Sequence, residues 1–487
     1  MAQTFPTYDY ANKAIWTIYL PHAQSLCEDC VVENLPERHE LLEKLGLCLF
    51  VDGKYKDAVK MHSVVVQWRE MTLGNKNELT LAAYTHLGEA LNWQGDWAAA
   101  ERYLQQAYHG WKETLGQEHS NTLTSMANLA STFWNQGRWK EAEELEVQVL
   151  EASKTVLGEE DPGTLTYMAN LASTYRDQGR WKEAEELDIQ VLKTSKTVLG
   201  EEHPDTLASI ANLASTYRNQ GRWKESEELA MQVLETRKRV LGEEHPDTLT
   251  IMANLASTYR NQGRWKEAEE LEVKVLETRK TVVLGEEHPD TLTSIANLAS
   301  TYGSQGRWKE AEELEVQVLE TRKRAFGEEH PNTLTSIANL ASTYRNQGRW
   351  KEAEELEVQV LETRKRVLGE EHPDTLTSIA NLASTYRNQG RWKEAEELEV
   401  QVLETRKRVL GEEHPDTLTS MANLASTFWN QGRDGEATEL MSSCLKEMVK
   451  MLGASHHQTQ SVISTLMAWS RYESEQIASH VPGAWPG

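Results

Sequence analysis

Residues 333–374 read TLTSIANLASTYRNQGRWKEAEELEVQVLETRKRVLGEEHPD, and residues 375–416 repeat the phrase without a change. The stretch decides the fold because the same 42-residue unit recurs along nearly the whole chain. Its central asparagine falls at Asn128, Asn170, Asn212, Asn254, Asn297, Asn339, Asn381 and Asn423, 42 residues apart except for 43 between Asn254 and Asn297. The additional residue lies in Thr281-Val282-Val283-Leu284, where other copies have a single valine. Two weaker copies precede these, with Lys44 and His86 at the asparagine register, and a half-copy follows near Thr465. Self-similarity at this period marks a stack of one supersecondary unit.

Each unit reads as two helices. In the copy beginning at Thr248, Leu249, Met252, Ala253, Leu255, Ala256 and Tyr259 form one helical stripe. Gln262-Gly263-Arg264 supplies a turn, with glycine free to close a helix in the left-handed conformation. A second helix starts at Trp265, carries Ala268, Leu271, Val275 and Leu276, and stops at Gly285; Pro289 opens the next copy. In another copy this helix begins Lys351-Glu352-Ala353-Glu354-Glu355 and ends Arg364-Lys365-Arg366, a charge order that suits the helix dipole. These charges are expected on solvated faces. No unit can bury its stripe alone, so the expected fold is all-α: a right-handed superhelical solenoid of helix-turn-helix repeats. A leading helix region is expected over 1–35, about ten repeats over 36–452, and a capping helix and tail over 453–487.

Bulk composition narrows the function. The chain of 487 residues is 26% charged and 39% hydrophobic, with net charge −25, which suits a folded chain but repels phosphate backbones and anionic lipid. Neither a nucleic-acid nor a membrane partner is expected. Four cysteines are too few for a disulfide scaffold. The opening MAQTFPTYDY lacks the layout of a signal peptide, and a cytoplasmic location is expected.

The residues Leu255, Ala256, Tyr259, Gly263, Ala268 and Pro289, with Trp265 where the family has Tyr, resemble the tetratricopeptide repeat. The 42-residue length and the phrase Gly-Glu-Glu-His-Pro look like the subclass in kinesin light chains, and like the C-terminal repeats of fungal NB-ARC or NACHT receptors of the NLR type. Trp16-Thr17-Ile18-Tyr19-Leu20-Pro21-His22-Ala23-Gln24 is similar to the start of the repeat region in those receptors. The resemblance implies a binding scaffold: the sensor array of such a receptor, or a cargo adaptor. No phosphate-binding P-loop occurs in the sequence, and the heptads that bind kinesin heavy chain are absent.

On the first helix, Thr250, Asn254, Ser257 and Asn261 line the edge opposite the stripe, which in the family faces the concave groove. Asparagine costs up to about 0.7 kcal/mol against alanine in a helix, so eight of them at one register invite a reason. Side-chain amides can grip the backbone of an extended peptide without reading its sequence. Six residues on, the copies differ: Trp134, Arg176, Arg218, Arg260, Gly303, Arg345, Arg387 and Trp429. Asp177 and Ser304 replace Asn one residue later. Variation at a groove edge is what a binding surface presents, and an arginine stripe favours acidic peptides or a carboxylate terminus. The first copies offer His86, Glu89, Asn92 and Trp93 beside Phe50 and Val51, with Tyr84, Trp97, Tyr103, Tyr108 and Trp111 near in sequence: an aromatic pocket, or the repacking of an end repeat.

Nothing reads as catalytic. Histidines before proline (His203, His245, His288, His330, His372, His414) are too separated for a metal. Cys27 and Cys30 have no second pair. The recurring Trp139, Trp181, Trp223, Trp265, Trp308, Trp350 and Trp392 read as helix packing, with stacking on arginine available to them. The expected function is a non-enzymatic scaffold, without cofactor or metal, holding a peptide or protein along the groove. The alternative is a small-molecule enzyme of the cyclase kind, built on Tyr84, His86, Glu89 and Trp93.

Overall fold

A computed structural model describes residues 12–28 and 35–480. Among these residues there are 22 α-helices and no strand. After a leading helix, Lys13–Glu28, ten pairs of helices follow, and a trailing helix, His457–His480, closes the series. We call the helices of a pair A and B and number the repeats by pair. Repeat 6 is typical: A is Pro246–Asn261 and B is Trp265–Thr278.

The stripe is the core. Leu249, Met252, Leu255 and Ala256 of helix A and Ala268 and Val275 of helix B are buried. Within each compact unit, neighbouring helices pack in chain order and cover one another's stripes, as repeats 2 and 3 and repeats 9 and 10 do. The chain divides into two compact units, residues 1–215 with 225–336, and residues 216–224 with 337–487.

The termini of the helices account for two recurring residues. The histidine before the proline is an N-cap: His245 Nδ1 accepts a hydrogen bond from the Asp247 amide at 3.2 Å, and His288, His330, His372 and His414 do the same. Asn77 and Asp161 take over this role in repeats 2 and 4, the residue types that ordinarily cap helices. After helix A, Gly263 adopts φ +77°, which lets the Arg264 amide bond back to the Tyr259 carbonyl at 2.9 Å.

The inserted valine is absorbed at the end of helix B of repeat 6. Arg279–Val283 forms a π turn, which takes up one residue without a break in the backbone hydrogen bonds. Cys30 lies outside the described residues. The last-turn charges depart from expectation: Arg366 is exposed and Lys365 half-buried, but Arg364 is buried, as are Arg237, Arg279, Arg322 and Arg406 at the same register.

Candidate functional site

The expected groove edge, the face made by successive A helices, contains three polar layers with different partners.

The first layer holds the repeated arginines near the end of helix A. Arg260 Nη1 donates to Glu272 Oε1 on helix B of the same repeat (3.4 Å) and to the Asn297 carbonyl of the next helix A (3.1 Å). Arg345 bridges Glu357 and the Asn381 carbonyl (3.1 and 3.2 Å), and Arg387 bridges Glu399 and the Asn423 carbonyl (3.3 and 3.2 Å). Arg176 meets Asp188 at 3.2 Å. The acids are almost wholly buried, so each arginine serves first as a counter-ion inside the repeat. Burial still pushes the carboxyls of Glu272, Glu357 and Glu399 above their ordinary range. These guanidiniums are engaged in the molecule and are not an open stripe.

Most copies that depart at this register depart in company. Trp429 faces no acid, because Met441 replaces the glutamate; its ring stacks on Trp469 of the trailing helix, with centroids 4.6 Å apart and planes 3° apart. Trp134 donates from Nε1 to Asp177 Oδ2 at 2.8 Å, so the two odd residues of repeats 3 and 4 are partners of each other. Arg218 stands twelve residues before Ala230, where other copies have an acid. The variation that sequence alone ascribes to a ligand is thus in part an internal compensation.

The second layer is the row of buried arginines on helix B. Arg322 Nη1 donates to the Asn332 carbonyl at 3.0 Å and to Ser336 Oγ at 2.8 Å. Arg279 and Arg406 repeat both bonds and add Thr250 and Thr377 of their own helix A. Burial lowers the Arg322 guanidinium to about 10. The sequence concealed this row inside a charge run.

The third layer is the asparagine ladder. Asn128 donates to Glu89 Oε1 at 2.5 Å. The other seven side-chain amides, from Asn170 to Asn423, form no hydrogen bond with any described residue. Asn170 and Asn339 are exposed; Asn212, Asn254, Asn297, Asn381 and Asn423 are half-buried.

At the outer turn, Gln-Gly-Arg-Trp is a clamp between repeats. Arg307 Nη1 reaches Glu269 of the preceding helix B at 2.8 Å, while Nε and Nη2 grip Glu310 at 2.6 and 2.5 Å. Its guanidinium lies 3.9 Å over the Tyr302 ring. Gln305 binds Glu269 as well, at 2.8 Å. Arg138, Arg180, Arg264, Arg391 and Arg433 make the same set of bonds. Arginine therefore stacks on the tyrosine or phenylalanine that ends helix A, where sequence reading had offered tryptophan.

In the first repeats the proposed aromatic pocket does not assemble. Tyr84 is buried and donates to Glu70 Oε1 at 2.6 Å. Trp111 is in the core. Trp93 is exposed and stacks on Tyr55 at 5.7 Å. His86 instead meets Glu43 at 3.3 Å, beside the buried His62, and Arg69 grips Glu43 with both ends at 2.8 and 2.7 Å. The arginine and histidine bonds hold the Glu43 carboxyl down at about 2, and burial drives His62 to about 3. Among the described residues no group of three acids, histidines or cysteines could hold a metal, and no helix is long and apolar enough to cross a membrane.

Comparison with known proteins agrees with this architecture. Two family models, each described as Tetratricopeptide repeat, match residues 37–108, 79–155 and 205–281, and residues 164–205, 291–332, 333–374, 375–416 and 417–458. No curated protein matches the chain. Among solved structures, the nearly identical TPR-like repeats of a kinesin light chain candidate from Podosopora anserina are 36% identical, covering 42% of this chain and 96% of that one with a TM-score of 0.37. BtubC (BKLC) from P. vanneervenii is 22% identical over 47% of this chain and 91% of its own, TM-score 0.38. A Rap protein complexed with Competence and Sporulation Factor is 12% identical over 81% and 99%, TM-score 0.45. The family models cover well over half of the sequence, and the chain belongs to the tetratricopeptide repeat family.

Proposed function

We propose that the chain is a protein-interaction scaffold that holds an extended peptide or a segment of a protein partner along its A helices. The observation that carries this reading is the ladder of seven amides, Asn170 to Asn423, at one register and without an internal bond. Amides that both donate and accept can pair with a peptide backbone in either direction. The arginines act as positioning residues: by bonding the carbonyl of the next asparagine, Arg260, Arg345 and Arg387 fix the helix that carries each amide. The 14 to 20% of each arginine side chain that stays in solvent lets a carboxylate of an acidic peptide or of a chain terminus join the internal pair. In sequence, Trp134 precedes these asparagines and Trp429 follows them, with His86 and Trp93 earlier still. On this reading the chain works as a binding array of the sensor or cargo-adaptor sort, in the cytoplasm, and performs no chemistry.

The test begins with peptides selected from a random library on the native chain. Asn212→Ala, Asn254→Ala and Asn297→Ala are then combined in one variant. Helicity should be unchanged and affinity for the selected peptides should fall at least tenfold, about 1.4 kcal/mol. Unaltered affinity in a folded variant refutes the groove.

A further inference from the structure

Three times within the compact units, the turn of one repeat is seated against a helix start six repeats later. A Cβ added at Gly53 would lie 2.7 Å from Pro289 Cδ, at Gly95 2.7 Å from Pro331 Cδ, and at Gly221 2.8 Å from His456 Cδ2. Only glycine allows an approach this close. The aromatic residue after the turn takes part: Trp223 lies 5.3 Å from the His457 ring. The histidine of the seated helix start is covered too. The His288 side chain is 11% exposed, against 39% for His203 and 34% for His245.

Among the described residues, the turns of repeats 6 to 10 are not seated in this way. Among the described residues, nothing lies within 4 Å of a Cβ added at Gly263, Gly306, Gly348, Gly390 or Gly432. Three tryptophans of these turns are exposed, Trp265 to 42%, Trp350 to 41% and Trp392 to 40%. Between two of the turns lies a depression of about 690 Å³ lined by Gly348, Trp350, Glu354, Gln389 and Arg391. Conversely, at the helix starts of repeats 3, 5 and 6, His119 is exposed and His203 and His245 are half-buried.

We propose that these are the two halves of a contact between copies of this chain. The turns of repeats 8 and 9 of one copy seat the helix starts of repeats 5 and 6 of a second. The occupant is a second copy because Glu-Glu-His-Pro at 201–204 and 243–246 is the phrase that is already seated internally at 286–289. The contact joins unlike surfaces, so each added copy leaves one of each unused and the assembly grows open-ended. A net charge of −25 opposes this at low ionic strength, and salt should promote it.

Sedimentation velocity of the full chain over a hundredfold concentration range, at low and moderate salt, tests the proposal. The native chain should pass from monomer to a series of larger species, more readily with salt. One variant carries Trp350→Asp and Trp392→Asp; repeat 10 already has Asp434 at this register. The other carries His203→Asp and His245→Asp; Asp161 already caps a helix start by accepting the Gly163 amide at 2.8 Å. Each variant should stay monomeric alone, and the two mixed should form a dimer that does not grow. A native chain that remains monomeric throughout overturns the proposal. So does undiminished association of either variant, or a mixture of the two that stays monomeric. Should one variant fail to fold, the native chain and the other variant still decide the matter.

Discussion

Repeats 3 and 9 share their apolar skeleton and differ in its polar filling. Leu123, Met126, Leu129 and Ala130 of the one are as buried as Leu376, Ile379, Leu382 and Ala383 of the other. In repeat 9, Arg387 faces the buried Glu399, and Arg406 crosses to the Asp416 carbonyl and Ser420. In repeat 3, Trp134 replaces the first arginine while Glu146 keeps the glutamate's place, and Ser153 replaces the second arginine. The core therefore sets the fold alone, and the polar layers set how much charge each repeat can bury. A buried acid with its arginine stays tied to the stack; one without it becomes sensitive to pH.

The largest effect should come from breaking the pair in repeat 9. Arg387→Ala leaves Glu399 buried without its counter-ion, a loss of about 3–5 kcal/mol. Arg387→Trp combined with Glu399→Met reproduces the combination that repeat 10 uses at Trp429 and Met441, and should recover most of that loss. Urea unfolding followed by circular dichroism measures both. Repeat arrays can unfold in stages, so the midpoint of the first transition is the quantity to compare. Equal stability of Arg387→Ala and the native chain contradicts the counter-ion role.

Glu146 in repeat 3 gives the next effect. Burial pushes its carboxyl up to about 7, aided by Glu143 and Asp177 nearby. The ordinary value is 4.5, so between the two values the folded chain binds a proton that the unfolded chain has released. Stability is therefore highest below the ordinary value, falls as pH rises towards about 7, and is flat above. The full loss is about 3 kcal/mol. Glu146→Gln should remove its own share of the slope, stabilising the chain above neutrality and changing little in acid. Thermal unfolding across that pH range reads it. An unchanged slope in the variant shows that Glu146 is not the titrating group. Repeat 9 offers the control, because Glu399→Gln removes the partner of Arg387 and should destabilise the chain above neutrality.

The outer clamp is weaker because it is wetter. Arg264→Ala removes the bonds to Glu227 and Glu267 and the stacking on Tyr259. The arginine side chain is about a third exposed, so solvent screening leaves a loss of about 1 kcal/mol. The same change at Arg307 should cost the same, since its partners are equivalent. A spread of several kcal/mol between the two sites breaks the idea of one clamp repeated.

Sequence reading went as far as periodicity goes. The stripe and the turn glycine were legible from spacing, because backbone geometry repeats with the residues, whereas the capping role of the histidines before proline was not. The expected placement of Arg364 on a solvated face failed because a guanidinium on a long stem can reach across two helices, and spacing on its own helix does not reveal where it ends. The partnership of Trp134 with Asp177 was equally out of reach, 43 positions apart. The signal was present, however: the two odd copies at neighbouring registers belong to adjacent repeats. The clamp was concealed by its own regularity, since a Gln-Gly-Arg-Trp present in nearly every copy offers no variation to interpret.

Repeats 6 and 9 differ in one further respect, and it carries the smallest effect. The buried arginine and the serine it reaches are 15 positions apart in Arg279 and Ser294, but 14 apart in Arg406 and Ser420. Both contacts are 2.9 Å. The π turn begins at Arg279 itself, so the extra residue enters after the side chain has left the helix. The next helix start is undisturbed, with His288 capping it as His414 caps its counterpart. Deleting Val283 should return the segment to an ordinary α turn with stability changed by less than about 0.5 kcal/mol. A loss well beyond that would mean that neighbouring repeats have adjusted to the longer segment. A null effect would instead place the tolerance for insertions at the last turn of helix B, where the polar layer holds the register and the backbone beyond it is free to lengthen.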